Sequence, residues 1–110
     1  MPALDLTNPQ SMGVIRNTTL GTAGNVRLVN LPPFPVIVTL HPVTTAAQLV
    51  SGDAALAEDA AIGSAAPMPL PADAKTEWRS HPTSAPHRLY LASTTSSQVV
   101  TVSVEKLGDL

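Results

Sequence analysis

The three histidines of this 110-residue chain, His41, His81 and His87, are its best candidates for proton transfer or metal ligation, and their spacing limits both. Zinc sites place ligands in patterns such as H-E-x-x-H or paired histidines. His81 and His87 are instead separated by a segment holding Pro82 and Pro86, which fits a loop. Nucleophilic catalysis needs a base beside the nucleophile and a third group that orients the base. Serines are plentiful, but none stands in G-x-S-x-G, His41 and His81 each precede a proline, and His87 reads as a residue at the start of a strand. The carboxylates of Glu58-Asp59 diverge on either a helix or a strand and read as solvated surface. Gly21 and Gly24 fit a turn, with no following Lys-Ser/Thr to complete a phosphate loop. The expectation is a protein that is not an enzyme and carries no metal or cofactor.

Trp78 is the remaining residue of chemical weight. It follows a proline-rich run and lies between Glu77 and Arg79. Tryptophan serves both small cores and interface anchors, and the sequence leaves both roles open.

The elements that must position these residues are strands. In HRLYLASTTSSQVVTVSVEKL, a connection at 94–97 sets Leu91 opposite Val100 and Leu89 opposite Val102 in a β-hairpin. Side chains alternate between faces along a strand, and opposed residues share a face. One face then carries Leu89, Leu91, Val100, Val102 and Val104. The other carries Arg88, Tyr90, Thr101, Ser103 and Glu105, turned outward or into an interface. A one-residue slip would set the two apolar sets on opposite faces, which favours this register.

Upstream, a strand is expected within 12–20, a turn at 21–25 and a strand over 26–31, the two strands pairing as a hairpin. Pro32, Pro33 and Pro35 confine their segment to a bend or an edge. Val36 to Leu40 is again strand-like, ended by His41-Pro42. The segment 44–66 is ambiguous: Asp53 could cap a helix over 54–62 ended by Gly63, but its apolar positions form no helical stripe, which tips the reading toward strands and loops. An extended run over 67–71, a turn at 73–76, a short strand at 77–79 and a loop at 81–86 complete the chain. Residues 1–11 read as an extended N-terminal arm, and 12–110 as one β domain. The fold class expected is mainly β: a small antiparallel β-sandwich or barrel with proline-rich loops.

Composition narrows the function classes. Charged residues are 13% of the chain, against about a quarter in an average soluble protein. The six basic residues are scattered and the formal net charge is −2, whereas nucleic-acid binding needs clustered cations. No nucleic-acid partner is expected. No apolar run approaches the roughly 20 residues of a membrane span, and MPALDLTNPQ lacks the basic start and apolar stretch of a secretory signal; synthesis in a cytoplasm without membrane insertion is the expectation. Cysteine is absent, which leaves neither disulfides nor thiolate metal sites. With three aromatic residues and an apolar share of 44%, the core must be built of small aliphatic side chains. An extended, weakly charged, proline-rich backbone points to contacts with other protein, and the expected interface residues are Leu4, Leu6, Phe34, Pro35, Met68, Leu70, Trp78 and Tyr90.

The order APMPLPADAKTEWRS, a loop, then HRLYLASTTSSQVVTVSV resembles the C-terminal half of small bacteriophage virion proteins, notably capsid decoration or cement proteins. The likeness covers 67–104. It implies a structural virion protein on the capsid exterior that binds major capsid subunits and itself, as a trimer, with arms and loops clamping its neighbours. Related implied roles are a head–tail adaptor, a tail component or a fibre base. From another class, the competing expectation is a ligand-binding module or accessory enzyme subunit with a pocket inside a β-barrel.

Overall fold

The computed structural model describes residues 4–8, 12–51, 55–63, 65–82 and 87–107. They form nine strands: β1 (Leu4–Asp5), β2 (Arg16–Thr19), β3 (Val26–Asn30), β4 (Val36–Pro42), β5 (Ala47–Ser51), β6 (Met68–Leu70), β7 (Thr76–Ser80), β8 (Arg88–Ser93) and β9 (Val99–Lys106). One sheet has the order β1-β3-β8-β5-β6 and the other β2-β9-β4-β7. Apart from β1, which lies parallel to β3, every pairing between these strands is antiparallel. The pairs β2·β9, β3·β8, β4·β7 and β5·β6 are nested one inside the next along the chain. Successive pairs fall on alternate sheets, which is the jelly-roll arrangement of an antiparallel sandwich.

Alternation along the central strands builds the core. β4 alternates buried Val36, Val38, Leu40 and Pro42 with half-buried Ile37, Thr39 and His41, and β9 buries Val100, Val102 and Val104 in step with it. Leu89 and Leu91 of β8, Val29 of β3 and Leu49 of β5 close on them from the other sheet. Leu89, Leu91, Val100, Val102 and Val104 thus face the interior as expected.

Their pairing is different. β8 and β9 are not a hairpin, because β8 lies between β3 and β5 while β9 lies between β2 and β4. Residues 94–98 carry the chain over the end of the sandwich, and Ser97 takes a positive φ of 59° there. The expected β2–β3 hairpin is corrected likewise: residues 20–25 cross between sheets, with Gly24 at φ 84°. An apolar-inward strand fits a common core equally well from either sheet, so inward alternation cannot tell an in-sheet partner from a facing one.

Tyr90 also departs from its expected place. The described residues 55–63 contain no helix, and Leu56, Ile62 and Ala65 lie over the outer face of the five-stranded sheet, where Tyr90 is fully buried with Val26, Val50 and Ala92. The cover is tied to the edge of β3. Val26 N donates to Ala60 O at 2.9 Å, Asp59 N to Val26 O at 2.8 Å, and Leu28 N to Glu58 Oε1 at 2.7 Å. Glu58 therefore satisfies a strand-edge amide and is not a purely solvated charge. Asp53, the expected helix cap, lies outside the described residues.

The segment 4–8 is extended but is not a free arm. Leu4 and Asp5 pair with Val29 and Asn30, Leu6 N donates to Asn30 O at 2.9 Å, and the Leu6 side chain is 2% exposed within the core. The rest of the expected arm, 1–3 and 9–11, lies outside the described residues. No helix among the described residues is long and apolar enough to cross a membrane.

Candidate interaction surface

Burial divides the eight expected interface residues. Leu6, Leu70 and Tyr90 are enclosed by the chain itself and are withdrawn as contact residues. Leu4, Phe34, Pro35 and Trp78 are half-buried, and Met68 is exposed. They form no single patch, since Leu4 is on β1 and Met68 on β6, at opposite edges of the five-stranded sheet. Phe34 packs against the core, Lys106 Nζ stands 5.2 Å from its ring centroid, and Leu107 N donates to Pro35 O at 2.9 Å. The PPFP bend is thus fastened to the end of β9. Among the described residues the most exposed large apolar side chain is Ile15, at 74%, which was not anticipated. It follows Val14 beside Gly13, whose φ is 75°, and only the conjunction of glycine with two aliphatic residues signals it in the sequence.

The space between the sheets is filled by leucine and valine side chains, so the expected pocket inside a barrel is not where a ligand could sit. Outside it, Leu56, Ile62 and Ala65 cover one sheet. The outer face of the four-stranded sheet is polar, and registers Asn17 beside Thr101 beside His41, and Ser103 beside Thr39 beside Glu77. A shallow hollow of about 90 Å³ lies on it, lined by Ile15, Thr39, His41, Lys75, Thr101 and Ser103. Thr101 Oγ1 donates to Asn17 Oδ1 at 2.7 Å, and His41 Nε2 lies 3.4 Å from Asp73 Oδ1. With the Thr101 hydrogen held by Asn17 and His41 Nε2 turned to Asp73, the hollow offers the Thr39 and Ser103 hydroxyls, which both donate and accept, and the Lys75 ammonium, which only donates. The strand alternation that buries Val38 and Val102 is what turns Thr39, Thr101 and Ser103 outward.

One arrangement has the outline of nucleophile, base and orienter. His87 Nδ1 donates to Pro32 O at 2.5 Å, which leaves Nε2 to accept the Ser80 hydroxyl at 2.7 Å. Ser80 is only 7% exposed and faces inward beside Val36. The geometry fastens the end of β7 to the turn after β3 and the start of β8, joining the two sheets. In the sequence its only mark is a serine and a histidine flanking a proline-containing loop.

A second polar clasp holds the opposite end. The carboxamide of Gln98, 5% exposed, donates through Nε2 to Ala46 O at 2.7 Å and to Thr45 O, while its Oε1 accepts Thr94 N at 3.1 Å. Arg27 points inward from β3 and donates through Nε and Nη2 to Thr19 O at 3.1 and 2.7 Å, tying that sheet to β2. Among the described residues no three of His, Cys, Asp and Glu are grouped as metal ligands would be. No protein-family model, curated protein or solved structure matches this chain.

Proposed function

We propose that this chain is a structural virion protein that decorates the exterior of a bacteriophage capsid by binding major capsid subunits. The observation that carries the reading is the nested pairing of β2·β9, β3·β8, β4·β7 and β5·β6, an architecture common to viral capsid and lectin domains. The support is a fold-level analogy, joined to the resemblance of 67–104 to decoration proteins. Polar side chains inside the molecule serve as fasteners between loops and sheets. The outward features are a polar sheet face with a shallow hollow and scattered apolar residues, an inventory that suits docking on another protein. A partner that binds only the folded form also adds stability by mass action.

The test is co-sedimentation of the purified chain with capsids of the phage that encodes it, stripped of this protein. Saturable binding at a fixed ratio to the major capsid protein supports the reading; a chain left in the supernatant at every concentration overturns it. A head–tail or fibre-base role predicts binding at one vertex or at the tail only, at a far lower ratio. A second reading, an outward-facing ligand-binding module, draws on the hollow at Thr39, His41 and Lys75.

A further inference from the structure

Among the described residues β7 closes one side of the four-stranded sheet and pairs with β4 alone. Its sequence, Thr76-Glu77-Trp78-Arg79-Ser80, is self-complementary about Trp78. If two copies pair antiparallel at that centre, Glu77 of each stands opposite Arg79 of the other, and Thr76 opposite Ser80. Opposed residues share a face, and Glu77 and Arg79 both lie exposed on the outer face, opposite Thr39 and Ile37 of β4. Among the described residues neither is in an ion pair within the chain.

The inner face adds an apolar part. Trp78 opposes Val38 on the inward register yet stays half-buried, because none of the described residues extends the sheet beyond β7. Met68 of β6 opposes Leu49 on the inward register of the facing sheet and is 38% exposed. β6 and β7 are edge strands joined through 71–75, and the two side chains border the seam between the sheets on that side.

We propose that this chain forms a two-fold symmetric homodimer by antiparallel pairing of β7 with β7 of a second copy, merging two four-stranded sheets into one of eight strands. Charges on an edge strand usually guard against such pairing. Here their order makes the guard attractive to its own copy, and an isologous contact requires that self-complementarity. The pairing does not depend on the virion reading. A five-residue edge buries less than the about 1,200 Å² of a tight complex, so the dimer is weak and concentration-dependent.

Sedimentation equilibrium of the full chain, from about 1 μM to 1 mM, tests it. The average mass is expected to rise toward two chains. Glu77→Arg alone, or Arg79→Glu alone, sets like charges opposite each other twice and is expected to weaken dimerisation about tenfold. The combined Glu77→Arg and Arg79→Glu swap restores it. A chain monomeric throughout, single variants that dimerise as well as the parent, or a folded swap variant that fails to recover overturns the proposal. A second measurement does not need charge reversal: the chain has no cysteine, so Glu77→Cys and Arg79→Cys proteins can be mixed and oxidised. The mixed disulfide is expected well above its statistical share, and a statistical yield overturns the register.

Discussion

Ser80 ends β7 of one sheet, His87 directly precedes β8 of the other, and the two are joined by a 2.7 Å hydrogen bond from the serine hydroxyl to Nε2 of the ring. Because Nδ1 is held on Pro32 O, the ring has one orientation and one tautomer in which both nitrogens are satisfied. Removing the hydroxyl leaves a ring nitrogen of the half-buried His87 without its donor, a loss of about 1 kcal/mol. Ser80→Ala is expected to lower unfolding free energy by that amount in denaturant titration, and His87→Leu by more, since it also strands Pro32 O. Ser80 is further expected to resist a fluorophosphonate probe; stoichiometric labelling would show that the pair acts as a nucleophile and base.

Gln98 serves carbonyls and an amide from two loops at once. Gln98→Glu replaces the donor that faces Thr45 O and Ala46 O with a carboxylate oxygen. Buried groups left unpaired or set against like partial charge cost about 1–3 kcal/mol each. Gln98→Glu is expected to destabilise the fold more than Gln98→Ala at neutral pH, with part of the difference recovered in acid as the carboxyl protonates. Thermal melts of both variants at two pH values check this.

The Tyr90 hydroxyl is buried without a hydrogen-bond partner, while its ring lies under Leu56 and Ile62 with Arg88 Cζ 5.6 Å from the centroid. A buried unpaired hydroxyl is unfavourable. Tyr90→Phe keeps the ring packing and is expected to match or exceed the parent in stability, by up to about 1 kcal/mol. A clear loss in chemical denaturation would mean that the hydroxyl is bonded in solution.

Asp5 lies at the end of β1, where Thr7 Oγ1 donates to its carboxylate at 2.6 Å and Thr7 N at 3.0 Å. The side-chain bond first, and the backbone bond second, hold its carboxyl below the ordinary aspartate value of 3.8. A depressed folded value contributes stability above the unfolded value, and the contribution is lost as pH falls through the folded one. The Leu6 amide, which bonds Asn30 O beside this turn, is expected to lose hydrogen-exchange protection below pH 3.8. In Asp5→Asn that pH dependence should vanish.

The strand character of β2 to β4 and β7 to β9 and the inward registers of β8 and β9 were legible in the sequence, whereas β1 was read as part of an arm and β5 lay in a segment left ambiguous between helix and strand. Val36, Val38 and Leu40, or Val100, Val102 and Val104, alternate over a few consecutive residues, and a period of two is a local property that any strand pairing preserves. The polar outward residues Thr101 and Ser103 came with the same alternation. Which sheet each strand joins could not. Leu91 and Val100 face one core from opposite sheets, and the same alternation would serve them as hairpin partners. The cover that buries Tyr90, the cross-sheet bond from Ser80 to His87 and the docking of Leu6 beside Asn30 each join residues whose neighbours in sequence carry no trace of the partner. Those contacts arise only when the nested pairs close over a shared apolar interior, and burial then decides which polar groups must find one another.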